Sequence, residues 1–258
     1  MAELPPTLLP IRPAGDLSPL FCVHAVSGSA YGYAGLGRVL PAGRPVYGLE
    51  APGFDDGRPP ARSIEHLSAG HVDALRAVRP DGPYCLLGWS MGGVVAFDMA
   101  VRLAAAGAEV ATLILVDSYL PTPGDRPDQA SVVRQFAADL AGAANLADRS
   151  DLANLANLAD LAELADLADL DGSFLEHRFA VFSAHVEALF GYRPTGTHHG
   201  PAALLEASES PPKGARWRTV IDRLEERQVP GDHHSIWQGD RLRALGAAVH
   251  DSLAHAVR

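Results

Sequence analysis

The stretch YCLLGWSMGG, Tyr84–Gly93, constrains the chain more than any other. Gly88, Ser90 and Gly92 spell G-x-S-x-G between an apolar run and a helical one, which is the pattern of a nucleophile elbow. Tyr84–Leu87 reads as a short apolar strand, and Val94–Leu103 has the spacing of a helix packed on a sheet, so Ser90 falls at the turn. A tight strand-to-helix turn crowds the backbone around the nucleophile, and glycines two before and two after it remove the Cβ atoms that would clash. The helix start also points free N–H groups and a positive dipole end at the serine, where an oxyanion can be held.

The surrounding rhythm is strand and helix in alternation. Leu20–Val26 (LFCVHAV) reads as an apolar strand opening into the small-residue loop Ser27–Ala30, followed by a helix near Tyr31–Leu40. Arg44–Leu49 is the next strand. Ser63–Arg79 carries an apolar stripe behind a serine cap, the mark of an amphipathic helix. Glu109–Val116 is a β-branched strand ending at Asp117. Such alternation predicts an α/β fold with a mainly parallel sheet and helices on both faces, whose sites lie at the carboxyl ends of strands. Val26, Ser90 and Asp117 all fall at such ends. Residues 1–18, rich in proline, read as an extended lead-in.

From Pro121 to about Gly200 the rhythm stops, and a helical lid inserted in one domain over 1–258 is expected. Its middle, residues 150–172, has leucine at every third position from Leu152 to Leu170. On an α-helix three residues advance about 300°, so the leucine stripe drifts by roughly 60° per step and winds around the axis. The tract therefore reads as a repeat expansion without a chemical role. Ser173–Phe190 reads as a second lid helix, with Phe179 and Phe182 as candidate pocket residues beside Trp89 and Tyr31. Ala202–Ala207 and Leu224–Pro230 read as strands, and Arg241–Val257 as the closing helix.

The chain has 258 residues, 47% of them apolar and 20% charged, with a net charge of −10. That balance disfavours nucleic acid and anionic membrane as partners, since both need a basic face. Between Asp148 and Asp171 there are seven acids and one arginine, so most of the excess sits in the lid. No run of about 18 apolar residues could span a bilayer, and the N-terminus lacks a secretory pattern, so the expected compartment is cytoplasmic. Cys22 and Cys85 fall in apolar strands and look structural. His198 and His199 form a pair without matching ligands nearby, and no metal is expected.

After the last strand comes Val229-Pro230-Gly231-Asp232-His233-His234. A histidine in a glycine-bearing loop before the final helix completes the order Ser, Asp, His of the α/β-hydrolase fold. Ser90 is then the nucleophile, His233 its base and Asp117 the acid that orients the imidazole. The N–H groups of Met91 and Val26 would hold the oxyanion. His234 remains an alternative base, and Glu206 or Glu209 an alternative acid. His24, at a strand end, reads as a brace for the loop.

The chain resembles the thioesterase domains that terminate modular polyketide synthases and nonribosomal peptide synthetases. The resemblance rests on PLFCVHAVSGSAYGY, RPVYGLEAPGF, GPYCLLGWSMGGVVAFDMA, LILVDSYLP and VPGDHHSIW, and spans nearly everything outside the lid tract. An acid directly after the LILVD strand matches the chain-terminating type. Two positions depart from the usual pattern: His24-Ala25 stands where His-Pro is common, and His233-His234 where His-Phe is. The resemblance implies an acyl chain delivered on the phosphopantetheine of an acyl or peptidyl carrier protein, transferred to Ser90, then released by water or an internal nucleophile. It implies no metal or redox cofactor. A general esterase or lipase of the same fold, or a catalytically silent scaffold, are the competing expectations.

Overall fold

The computed structural model describes residues 4–122, 124–143 and 172–255. Most of the leucine repeat therefore lies outside the described residues. In chain order the strands are β1 (Leu8–Arg12), β2 (Leu20–Val23), β3 (Val46–Leu49), β4 (Tyr84–Trp89), β5 (Val110–Val116), β6 (His198–Ala207) and β7 (Ile221–Val229). The helices are α1 (Ala34–Val39), α2 (Ile64–Val78), α3 (Met91–Ala105), α4 (Gln129–Ala143), α5 (Gly172–Gly191), α6 (Gly214–Trp217) and α7 (Gly239–His255).

The strands form one sheet in the order β1-β3-β2-β4-β5-β6-β7. All neighbours are parallel except β1 and β3. Period-two alternation of side chains explains why the central strands are continuously apolar: both faces are covered. In β2, Phe21 and Val23 join the core under α2 and α3, while Leu20 and Cys22 face the core under α1 and α7. Leu113 and Leu115 of β5 divide from Ile114 and Val116 in the same way. Each large aliphatic residue fully buried in these two layers contributes about 1.5–3 kcal/mol.

The lead-in contains a strand that the sequence reading did not expect. Leu8 pairs with Leu49 and Pro10 with Tyr47, antiparallel, at the sheet edge. An edge tolerates Pro10 because one side of the strand needs no ladder partner, and the pairing shifts between Pro10 and Arg12. Arg12 then ties this edge to the end of α1, donating to the carbonyls of Gly37 and Leu40 at 2.8 Å each.

The expected helix at 63–79 forms as α2, with Ser63 as its cap: the His66 N–H donates to the Ser63 hydroxyl at 3.2 Å. The lid interrupts the sheet between β5 and β6. Its helices α4 and α5 meet through a separate apolar cluster that includes Val133, Phe136, Leu175 and Phe182. No helix among the described residues is long and apolar enough to cross a membrane.

Candidate active site

Ser90 sits between β4 and α3 with φ 56° and ψ −125°, a conformation that only a closely braced turn sustains. A Cβ on Gly88 would run into the Gly92 carbonyl, and one on Gly92 into the carbonyls of Val23 and His24. Neighbouring elements pin the turn. The Ser90 N–H donates to the Val116 carbonyl at 3.0 Å, and the Trp89 N–H to the Tyr33 hydroxyl at 3.1 Å. Met91 is the first residue of α3, where an N–H has no partner within the helix.

Asp117, directly after β5, is fully buried and also at positive φ, 42°. Its Oδ2 accepts from His233 Nδ1 at 2.5 Å and from the Ser210 hydroxyl at 3.1 Å. Its Oδ1 accepts from Lys213 Nζ at 2.6 Å and from the Ala207 N–H at 3.1 Å. Burial alone would push the Asp117 pKa up; the hydrogen bonds from His233 and Lys213 outweigh it and bring the carboxyl down to about 2. His233 lies on the loop between β7 and α7, where Asp232 Oδ1 accepts from the N–H groups of His234 and Ser235 at 2.9 and 3.0 Å. That turn sets the direction of the His233 ring.

The other acids considered from sequence are engaged elsewhere. Glu206 accepts from the Lys213 N–H at 2.5 Å, and Glu209 lies 3.8 Å from Arg241. His234 stacks edge-on against both Trp89 and His233, with ring centroids 5.7 and 5.1 Å away.

Ser90, Asp117, His233, Val26, Trp89 and Phe182 all line one cavity of about 400 Å³ under the lid. Tyr31 lines a second cavity of about 650 Å³, which shares Trp89 and His234 with the first. Phe179 does not join them: its ring packs on Phe136 at 5.3 Å inside the lid's own cluster, because that face of α5 looks toward α4.

The loop carrying Val26 rests on buried histidines. His24 Nδ1–H donates to the Ala25 carbonyl at 2.7 Å, and His185 of α5 donates through Nδ1 to the Val26 carbonyl at 2.8 Å. In a trans peptide the carbonyl and the next N–H point oppositely, so holding the Ala25 carbonyl toward His24 turns the Val26 N–H the other way. The two rings stack at 5.0 Å, and His71 meets His24 edge-on at 5.3 Å. Burial drives the three pKa values down, to about 3 for His71 and about 4 for His185, so the cluster is neutral.

Lys213, Tyr33, His71 and His185 were not singled out from sequence as parts of the site. Of the positions that were set aside there, Cys22 and Cys85 are buried free thiols, with the Cys22 pKa pushed up by burial. His199 pairs with Asp222 at 2.6 Å, and the described residues contain no cluster of three or more potential metal ligands.

A family model described as a thioesterase domain matches residues 18–253. The chain belongs to the thioesterase-domain family. Among curated relatives of this thioesterase domain, the malpinin synthetase of Mortierella alpina is 44% identical over 118 residues, 46% of this chain and 2% of that protein. The vanchrobactin synthetase of Vibrio anguillarum is 31% identical over 262 residues, 95% of this chain and 8% of the synthetase. The thioesterase domain thus spans a small fraction of the length of these relatives. A four-domain nonribosomal peptide synthetase solved with AMP and glycine superposes with a TM-score of 0.84 at 24% identity, over 96% of this chain and 20% of that one. That likeness carries the fold, the α/β-hydrolase arrangement expected from the strand and helix order.

Proposed function

We propose that this domain is a serine thioesterase releasing a polyketide or peptide acyl chain from the phosphopantetheine of a carrier protein, through an acyl-Ser90 intermediate. The observation that carries the reading is the pairing of His233 with Asp117 at 2.5 Å in the cavity that also receives Ser90.

The Ser90 hydroxyl attacks the thioester carbonyl while His233 Nε2 takes its proton, and Asp117 stabilises the resulting imidazolium. The N–H groups of Met91 and Val26 hold the negative oxygen, each worth about 3 kcal/mol in such sites. The carbon–sulfur bond then breaks, and the pantetheine sulfur leaves with the proton from His233. Water, or an amine or hydroxyl of the same acyl chain, next attacks the Ser90 ester; His233 removes its proton and returns one to the Ser90 oxygen. Hydrolysis and cyclisation share these steps and differ in the second nucleophile. Every group these steps use is a side chain or backbone N–H of this domain, and the pantetheine arm enters as part of the substrate.

The test is turnover of acyl-pantetheine thioesters against matched oxygen esters, with fluorophosphonate labelling alongside. Thioester turnover and labelling lost in Ser90→Ala are expected. Faster turnover of the oxygen esters would favour a general esterase, and an unlabelled folded protein would favour a scaffold.

A further inference from the structure

Asp139, on lid helix α4, lines both cavities at the place where they adjoin, together with Ala25, Trp89 and His234. Apart from Asp117, whose oxygens are taken by four donors, it is the single acid in the described walls of either cavity. Its surroundings on the acyl side are apolar, including Phe182, Val186 and Leu189. Ser27, on the loop beside Val26, and the charge of His233 both draw its pKa down. Among the described residues no lysine or arginine forms an ion pair with it: Lys213, the cation of the first cavity, is spent on Asp117, and Arg38, which lines the second, makes no salt bridge to it.

We propose that Asp139 determines specificity in this cavity by recognising a protonated amine on the acyl chain that Ser90 accepts. The inference rests on the thioesterase reading above. A carboxylate without a cation against it, beside an apolar wall, is unfavourable and is relieved by a matching charge; among the described residues no lysine or arginine supplies one, and a ligand can. Burial pushes the Asp139 pKa up to about 6, against the opposing influence of His233, which is the mark of a carboxyl lacking a full complement of partners. An ammonium entering the cavity supplies that partner, whereas a carboxylate on the same chain would be repelled. The position suits this role: α4 supplies Gln135, Ala138 and Asp139 to the cavity wall and no residue of the elbow, so a contact from Asp139 reaches the acyl chain and leaves the elbow untouched.

The experiment compares ω-amino, ω-hydroxy and ω-carboxy acyl pantetheine thioesters of equal length in the wild-type protein and in Asp139→Asn at neutral pH. In the wild type the amino chain should exceed the hydroxy chain in kcat/KM by about tenfold, the scale of one partly screened ion pair, and the carboxy chain should be poorest. In Asp139→Asn the amino-to-hydroxy ratio should fall to near one. A ratio near one in the wild type, or one that survives in Asp139→Asn, would overturn the proposal; so would an equal loss on all chains, which indicates a role only through Ser27. Binding of hexylammonium against hexanol to the wild-type protein, read by calorimetry, decides the question independently of turnover and of how the variant folds. A preference for the ammonium supports Asp139 recognition, and no preference refutes it. Failure to turn over any thioester would instead refute the thioesterase reading itself.

Discussion

Two of the four donors on Asp117 are basic, Lys213 on Oδ1 and His233 on Oδ2, and the consequences are measurable at the scale of this one residue. Its folded pKa is depressed from 3.8 to about 2, so its contribution to stability is present above 3.8 and is lost as pH falls toward 2. That depression corresponds to roughly 2 kcal/mol. Asp117→Asn should therefore lose less stability than the wild type between pH 5 and 2 by about that amount, read as the change in urea midpoint; equal losses would show that the carboxyl is not held as described. On the chemistry, Ser90→Ala, Asp117→Ala and His233→Ala should each lower kcat by about four powers of ten, with little further loss on combination, because the three act as one unit. His234→Ala should stay within about tenfold, as a neighbour that stacks on the base without replacing it. If it matched His233→Ala in a folded protein, the base would be misassigned. That Ser90, Asp117 and His233 would come together was legible because each sits at a strand end within a local pattern, and all three line one cavity. Lys213 and Asp139 were not, since nothing near Lys213 in sequence marks a partner 96 residues away, and Asp139 lies in an ordinary helical stretch.

At the scale of elements, the central strands were readable because burial on both faces makes LFCV, YCLLGW and VATLILV continuously apolar. β1 escaped notice because Pro10 and the prolines flanking the strand resemble a linker, and only the edge position makes Pro10 tolerable. The packing of Phe179 on Phe136 was not legible for a related reason: an aromatic on a lid helix can face the cavity or the neighbouring helix, and helical periodicity alone does not say which. The junction of elements that governs the site is the one between α5 and the loop after β2, joined by the His185 bond to the Val26 carbonyl. His185→Leu keeps an apolar body in the buried site but frees that carbonyl, so kcat should fall by about tenfold or more while KM changes little, a loss confined to the step that needs the oxyanion donors. A change in KM alone would place His185 outside the oxyanion machinery.

At the scale of the whole molecule, the low-complexity tract comes in sequence between two helices that already meet, α4 and α5. The first cavity is lined from the sheet ends, α4, α5 and loops, the second from α1, Asp139 of α4 and loops, and α4 and α5 hold each other through Phe136, Leu175 and Phe182. Residues 144–171 lie outside the described residues, and their leucine spacing of three gives no single apolar face to a straight helix. Changing the length of a surface connection costs little, about 0.6 kcal/mol for each doubling. Deleting two or three Leu-Ala-Asp units should therefore leave cooperative melting intact and kcat on short acyl thioesters within about threefold, with any loss confined to long acyl chains that reach beyond the cavity. It should also raise the net charge by one for each acid removed, which gives a check on the variant by isoelectric focusing. Complete loss of turnover on short thioesters in a trimmed protein that still melts cooperatively would mean that the repeat supports the catalytic cavity, and that α4 and α5 do not set its walls by themselves.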